Sequence, residues 1–201
     1  MWYRFESKKR NMTIFILGLI YFEGRYVQKD IRKCIHYFKL ASDQNYSNAQ
    51  NFLGFIYSDK KHSSFDIKKA IYYYTLSANQ NNKEAQLNLG VLYFQGKYIE
   101  RDMKKAINYL TKSAHQNDDK AQYILFEIYY NGKFIQRNIN KGIYYLSLSS
   151  DNGNTKANFS LGFLYHGGKY INKNIEKAIN LYKNASSMYY QYAKNNLGII
   201  Y

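Results

Sequence analysis

The sequence predicts an all-α fold, a solenoid of antiparallel helix pairs in which one pair recurs every 36 residues. Leucine recurs at this spacing without an insertion, glycine follows it in all repeats but one, and tyrosine stands three residues after each glycine position. The Leu-Gly positions are Leu17-Gly18, Leu53-Gly54, Leu89-Gly90, Leu161-Gly162 and Leu197-Gly198, with Leu125-Phe126 as the exception. A fixed period of this length indicates units that bury their apolar faces by stacking on their neighbours.

The repeat from Lys83 to Asp118 shows how each helix pair is encoded. Ala85, Leu89 and Leu92 follow helical spacing and predict a first helix. Gly96 stands where the chain needs a positive φ past the helix end. A second helix is expected from Met103 to about His115.

The helix starts and the connections between repeats have their own signals. Each second helix is expected to begin after an Asp or Asn, whose side chain can accept hydrogen bonds from the free backbone N–H groups of the first turn. These predicted caps are Asp30, Asp66, Asp102, Asn138 and Asn174. Residues that tolerate left-handed geometry connect the repeats at Asn45, Asn81, Asn117 and Gly153. Phe126 is expected to splay its helix pair or to turn its ring outward.

These signals divide the chain into repeats. The predicted repeats are 11–46, 47–82, 83–118, 119–154 and 155–189, preceded by residues 1–10 as a partial second helix or N-terminal cap and followed by 190–201 as the first helix of an incomplete sixth repeat or a C-terminal cap. The expected helix pairs are 11–23 with 30–43, 47–59 with 66–79, 83–95 with 102–115, 119–131 with 138–151, and 155–167 with 174–187.

Composition bears on location and partners. Cys34 is the only cysteine, which excludes an intrachain disulfide framework and favours a reducing, cytoplasmic location. Cys34 occupies a small-residue column with Ala70 and Ala106, so a packing role is expected. The net charge of +15 suggests an acidic partner, but A/T-rich codons also explain the abundance of lysine.

The apolar stretch from Thr13 to Phe22 follows basic residues, as in a secretory signal, but its Leu17 and Tyr21 keep the repeat register. We therefore interpret it as the first helix. The stretch is far shorter than the ~20 residues that span a bilayer, so no transmembrane segment is predicted.

The columns resemble the Sel1-like repeat, a branch of the tetratricopeptide superfamily. The matching residues of one repeat are Ala85, Leu89-Gly90, Tyr93, Gly96, Asp102, Lys105-Ala106 and Tyr109. The resemblance implies a right-handed α-solenoid that acts as a protein-protein interaction adaptor or scaffold without chemistry of its own. Lys60 replaces the family's first turn glycine in repeat two, and the single Cys34 excludes the secreted members that cross-link each repeat.

No enzyme activity, cofactor or metal site is predicted. The four histidines occupy different columns of the repeat and lack metal-ligand spacing. No glycine-rich phosphate loop, nucleophile elbow or carboxylate pair is evident. The histidines are His36, His62, His115 and His166.

The hypothesis for partner recognition is a variable, aromatic-rich stripe along the first helices, which would line the concave face of the solenoid. The alternative is that most of these rings pack against the neighbouring repeat. Phe159, Phe163 and Tyr130 are the predicted anchors, because aromatic side chains dominate binding energy. The full set is Phe15, Leu19, Phe22, Phe55, Phe94, Tyr123, Glu127, Tyr130, Phe159, Phe163 and His166.

A basic stripe gives the alternative function, binding of an acidic partner such as nucleic acid or an anionic surface. It consists of one turn position in every repeat, Arg25, Lys61, Lys97, Lys133 and Lys169. Nucleic acid is disfavoured because no base-reading motif accompanies the cations. Apolar residues near the end of the chain, including Leu197, Ile200 and Tyr201, suggest a fragment of a longer array or self-association through exposed end helices.

Overall fold

Helices account for all regular structure in the computed structural model, which describes the backbone of residues 2–185 and the side chains of residues 9–185. Within these residues there are ten helices, and the predicted all-α class of paired helices is confirmed. They are α1 (Trp2–Glu23), α2 (Ile31–Ser42), α3 (Ser47–Ser58), α4 (Ile67–Ala78), α5 (Lys83–Gln95), α6 (Met103–Ala114), α7 (Asp119–Asn131), α8 (Ile139–Asp151), α9 (Thr155–Gly167) and α10 (Ile175–Asn184).

The helices fall into two units divided between Arg101 and Asp102. In the first unit α1 packs on α2, α2 on α3, α3 on α4, and α4 on α5. In the second unit α6 packs on α7, α7 on α8, α8 on α9, and α9 on α10. Packing between consecutive helices is the pattern of a repeat protein, in which each repeat is stabilised by its nearest neighbours.

Every predicted cap of a second helix is formed. The side chains of Asp30, Asp66, Asp102, Asn138 and Asn174 each accept a hydrogen bond from the backbone N–H three residues later. The predicted left-handed connections are also present, with φ of 62° at Asn45, 59° at Asn81, 58° at Asn117 and 84° at Gly153. The helix boundaries therefore follow from local side-chain chemistry.

The turn of repeat two differs from the others because Lys60 replaces glycine. Gly96 ends α5 with φ of 61°, whereas α3 ends at Ser58 without a left-handed residue. The Asp59 carboxylate accepts a hydrogen bond from the Lys61 backbone N–H at 2.9 Å. A side-chain acceptor thus organises a turn that elsewhere depends on glycine.

The N-terminal helix corrects one expectation. Helix α1 runs without a break from Trp2 to Glu23, so residues 2–10 are not a separate second helix. Lys9 stands at the register position of the left-handed Asn45, and lysine disfavours that geometry, so the helix continues. The predicted last helix, 190–201, lies outside the described residues.

Phe126 is buried, so the expectation of an outward ring is wrong. Its ring packs on Tyr123 and Tyr130, with centroid separations of 5.6 and 5.1 Å. In repeats 1, 2 and 5 the equivalent glycine faces an aromatic ring of the second helix, Phe38, Tyr74 or Tyr182. Repeat four has the smaller Leu146 at that second-helix position, as repeat three has Leu110.

Buried glutamines join successive repeats. Gln50 Nε2 donates to the Ser42 carbonyl at 3.4 Å, and Gln86 Nε2 donates to the Ala78 carbonyl at 3.2 Å. In the second unit Gln122 Nε2 donates to the Ala114 carbonyl at 3.0 Å. Each bond connects a first helix to the end of the preceding second helix, and it is the second hydrogen bond of a carbonyl that already accepts the N–H of Asn45, Asn81 or Asn117.

Candidate functional site

One column of the predicted stripe points away from the core. Phe55 on α3 is 44% exposed and Phe163 on α9 is 57% exposed, at the same position of the repeat. Leu19 and Glu127 occupy this column in repeats one and four and are half-buried. Large exposed rings in a repeat framework are candidates for partner contact.

A second column, one helical turn earlier, faces neighbouring helices. Phe15 is buried, with ring centroids 5.3 Å from Phe38 and 5.4 Å from Phe52. This corrects its assignment to the recognition stripe, because its side chain belongs to the core. Phe159 is half-buried and packs on Tyr182 at 5.7 Å. For Phe15 and Phe159, the structure therefore supports the alternative that these rings pack against neighbouring helices.

The remaining members of the predicted stripe are half-buried: Phe22, Phe94, Tyr123, Tyr130 and His166. Phe22 approaches Phe55 edge-on with centroids 6.2 Å apart, so these two predicted residues lie together in the first unit. In the second unit the Tyr123 hydroxyl lies 3.5 Å from Ser160 Oγ, which brings α7 beside α9.

A groove of about 510 Å³ lies beside Glu127 in the second unit. Tyr123 and Ile124 of α7 line it together with Glu127, and Asn154, Thr155 and Lys156 line it near the start of α9. Burial raises the pKa of the Glu127 carboxyl, and the charge of Lys156 partly opposes that effect. The groove thus presents a partly desolvated acid among apolar and polar walls.

Several cations of the basic stripe lie over aromatic rings of their own turns. Lys97 lies 5.2 Å from the centre of the Tyr98 ring, and Lys133 and Lys169 lie 5.2 and 5.3 Å from the Phe134 and Tyr170 rings. Arg25 instead pairs with Glu23 at 3.2 Å. Lys61 is exposed in the turn of repeat two.

Two arginines have a role that the sequence reading missed. Arg101 Nε donates to the Phe94 carbonyl at 2.8 Å, and Arg137 Nε donates to the Tyr130 carbonyl at 2.7 Å. Both cap the carboxyl end of a first helix, where cations are favourable. The sequence feature that could have predicted this role is an arginine five residues after the turn glycine, as after Gly96 and Gly132.

Reactive groups are sparse in the described part of the chain. No group of three or more His, Cys, Asp or Glu side chains among those residues is arranged to hold a metal ion. Cys34 is buried, and burial raises its pKa to about 12, so the thiol stays protonated at neutral pH. Within the same residues no helix has the length and apolar character needed to cross a membrane.

Comparison with known proteins identifies the repeat. The Sel1 repeat model matches residues 13–46, 47–82, 83–118, 119–154 and 155–190. No functionally curated protein sequence matches the chain significantly.

Solved structures give the same fold. A Sel1 repeat protein from Oxalobacter formigenes aligns at a TM-score of 0.85 and 29% identity, over 95% of this chain and 78% of that one. A protective antigen of uropathogenic Escherichia coli, c5321, aligns at a TM-score of 0.82 and 22% identity, over 93% of this chain and 40% of its own. Helicobacter pylori cysteine-rich protein B aligns at a TM-score of 0.51 and 26% identity, over 67% and 96%. The chain belongs to the Sel1 repeat family.

Proposed function

We propose that this chain is a non-enzymatic scaffold that binds a partner protein through the outward column of its first helices. The observation that supports this most directly is the exposure of Phe55 and Phe163 at one repeat position, on helices whose leucine columns are buried at Leu53 and Leu161. Sel1 repeat solenoids are generally protein-protein interaction scaffolds, and the family is typically non-catalytic.

The physical argument is that an exposed phenylalanine brings a large apolar area to an interface and loses little conformational freedom there. The helices behind these rings are held by buried contacts, such as Leu53 and Ile56 behind Phe55. A surface supported in this way loses little entropy on binding, which favours affinity.

Glu127 adds a polar element to the proposed surface of the second unit. It takes the repeat position of Phe163 on the preceding first helix, and the groove beside it opens between Tyr123 and Lys156. A hydrogen-bond donor of the partner would satisfy this partly desolvated carboxylate, while the Phe163 ring supplies apolar contact. A short peptide segment of mixed character fits these features.

The test uses peptides selected by display against the intact chain and then measured by isothermal titration calorimetry. Phe163→Ala is expected to weaken the selected peptides at least about tenfold, which is ~1.4 kcal/mol, and to leave the melting temperature nearly unchanged. The matched control is Tyr144→Ala, which removes a ring that is 59% exposed on the second helix α8.

Two outcomes would contradict the proposal. Equal losses in the two variants would show that exposed rings bind without regard to position. A large fall in melting temperature for Phe163→Ala would show that this ring is part of the packing. Phe159→Ala serves as a positive control for that second outcome, because its ring packs on Tyr182.

The alternative, binding through the whole basic stripe, has less support as a general function. Arg25 is paired with a carboxylate, and Arg101 and Arg137 of the neighbouring turn position cap helix ends. We also propose a cytoplasmic location, because the single, buried Cys34 provides no disulfide. Fractionation of the native host cell, with the chain detected outside the cytoplasm, would contradict this location.

A further inference from the structure

The turns of repeats four and five differ in charge from those of repeats one and two. Residues 133–138 and 169–174 each hold two cations and no carboxylate. The equivalent residues 25–30 hold two cations together with Asp30, and 61–66 hold one cation together with Asp66. The difference arises at the cap of the second helix, where Asn138 and Asn174 replace aspartate.

The two acid-free turns lie against each other. Tyr170 approaches Tyr130 edge-on at 5.7 Å. The Arg137 guanidinium lies 5.3 Å from the Tyr130 ring centre and 5.7 Å from the Tyr170 ring centre, and its Nη2 donates to the Tyr170 hydroxyl at 3.4 Å. The cations of both turns therefore belong to one surface, which we call the cationic turn surface: Lys133, Arg137, Lys169 and Lys173.

In the described part of the chain, this surface has no carboxylate at ion-pairing distance. Among the described residues, none of its four cations has an Asp or Glu oxygen within 4.0 Å. In the first unit, by contrast, Arg25 pairs with Glu23 at 3.2 Å and Lys69 pairs with Asp66 at 3.1 Å. The pKa of Tyr170 is lowered, chiefly because Arg137 donates a hydrogen bond that favours the phenolate, with a further hydrogen bond and charge from Lys169.

We propose that the cationic turn surface binds an acidic peptide segment of a partner protein. Charge complementarity selects an anion, because four cations without neighbouring carboxylates attract negative charge over roughly a Debye length. Carboxylates of an extended peptide can meet the guanidinium and the ammonium groups in turn. This surface shares no residue with the outward column of the first helices, so separate variants test the two proposals and each can fail without the other.

Nucleic acid is the competing polyanion, and the rings argue against it. Single-stranded nucleic acid gains much of its affinity by stacking bases on free aromatic faces. Here Lys133 lies over Phe134, Lys169 over Tyr170, and Arg137 over Tyr130. These cations already lie over the rings on which bases would stack. A carboxylate, in contrast, pairs with the cation itself and does not require a free ring.

The experiment measures fluorescence anisotropy of a labelled poly-glutamate peptide with the full chain at low salt. Lys133→Gln with Lys169→Gln is expected to weaken binding at least about fivefold, since each exposed charge pair contributes a fraction of the total. Lys61→Gln with Lys97→Gln is the matched control, because it removes the same net charge from the turns of repeats two and three. The control pair is expected to change affinity less than about twofold.

A second variant preserves every helix cap. Asn138→Asp with Asn174→Asp keeps the side-chain acceptor for the backbone N–H of Lys141 and of Lys177, and it places two carboxylates in the turns. It is expected to weaken peptide binding about as much as the double lysine variant. Phe163→Ala, measured in parallel, is expected to leave the peptide affinity unchanged.

Three results would overturn the proposal. In the first, the peptide does not bind the wild-type chain at low salt. In the second, the two double lysine variants reduce binding equally, as expected if only the net charge of the chain matters. In the third, labelled oligothymidylate would bind more tightly than the peptide and lose affinity in the same variants, which would assign the surface to nucleic acid.

Discussion

Repeats two and four build the contact between their helices in opposite ways. In repeat two the first helix carries Gly54, and the Tyr74 ring of the second helix fills the space, so close that a Cβ on Gly54 would lie 2.5 Å from it. In repeat four the first helix carries the bulk as Phe126, and the second helix has Leu146 in the position of Tyr74. Phe126 is buried nonetheless.

Repeats two and four thus place the large side chain on different helices, whereas repeat three has a large ring on neither, with Gly90 and Leu110 in these columns. Repeat four also has Gly142 where repeat two has Ala70, and a Cβ on Gly142 would lie 3.1 Å from the Tyr130 backbone N. Repeat four thus differs from repeat two at three positions of the helix contact. Double variants test whether these differences compensate one another.

The largest effect is expected for Phe126→Gly, which empties the space that the ring fills. We expect a loss of about 4 kcal/mol in the free energy of unfolding, from the cavity and from glycine within a helix. Adding Leu146→Tyr is expected to recover at least ~1 kcal/mol by restoring the arrangement of repeat two. Chemical denaturation of both variants measures this, and strictly additive losses would contradict the compensation.

Gly54→Ala is expected to destabilise the protein by about 2 kcal/mol, although alanine favours helices. The added methyl would overlap the Tyr74 ring, which is buried. In a Tyr74→Leu background the same change is expected to be neutral or stabilising. Thermal unfolding of wild type, the two single variants and the double variant measures this. The account would be contradicted if Gly54→Ala lowered the stability equally with Tyr74 and with Leu at position 74.

The two repeats should also differ in alkaline solution, because only repeat two places a phenol at this contact. Burial raises the pKa of Tyr74 to about 12, partly opposed by its hydrogen bond with Ser58. Between the unfolded value of 10.0 and about 12, the unfolded chain loses the Tyr74 proton while the folded chain keeps it. Tyr74 therefore lowers stability as pH rises through that window, by up to about 2 kcal/mol.

Tyr74→Phe isolates this contribution. The variant is expected to be about 1 kcal/mol less stable than wild type at neutral pH, because it lacks the hydrogen bond. The difference is expected to shrink and reverse toward high pH, as followed by urea unfolding. Tyr72→Phe is the control, since the exposed Tyr72 ring has no comparable burial. A constant difference at all pH values would contradict the assigned pKa.

The smallest effect concerns a feature that the two repeats share, the cap of the second helix. Asn138→Ala is expected to cost about 1 kcal/mol, because the Lys141 N–H loses the acceptor that lies 3.0 Å away. Asn138→Asp is expected to retain most of the stability, because aspartate caps the equivalent helix in repeat two. If Asn138→Ala and Asn138→Asp lowered the melting temperature equally, the side-chain acceptor would contribute little to stability.

Local features could be predicted from the sequence. The caps at Asp66 and Asn138 and the left-handed Asn81 depend on atoms within a few residues, so composition and position suffice to identify them. The burial of Phe126 could not be predicted in the same way. It depends on Leu146, twenty residues later, and a column-by-column reading treats those two positions as independent.

The direction of the side chains in the proposed recognition stripe could be predicted only in part, because two columns lie one helical turn apart and both contain aromatic residues. The column of Phe15 and Tyr123 faces the neighbouring first helix, as the 3.5 Å approach of Tyr123 to Ser160 shows. The column of Phe55 and Phe163 faces outward. Residue hydrophobicity alone does not show which of the two columns faces outward, because that depends on which face of the helix the next repeat covers.

The glutamine bonds between repeats have a consequence for synthesis of the chain on the ribosome. Gln50 bonds the Ser42 carbonyl eight residues behind it, and Gln86 does the same for Ala78. The Ser42 and Ala78 carbonyls already accept the N–H groups of Asn45 and Asn81, so the following helix adds a second hydrogen bond to each of them when it emerges. Cotranslational folding is expected to advance in one direction, with each new helix completing the helix made before it.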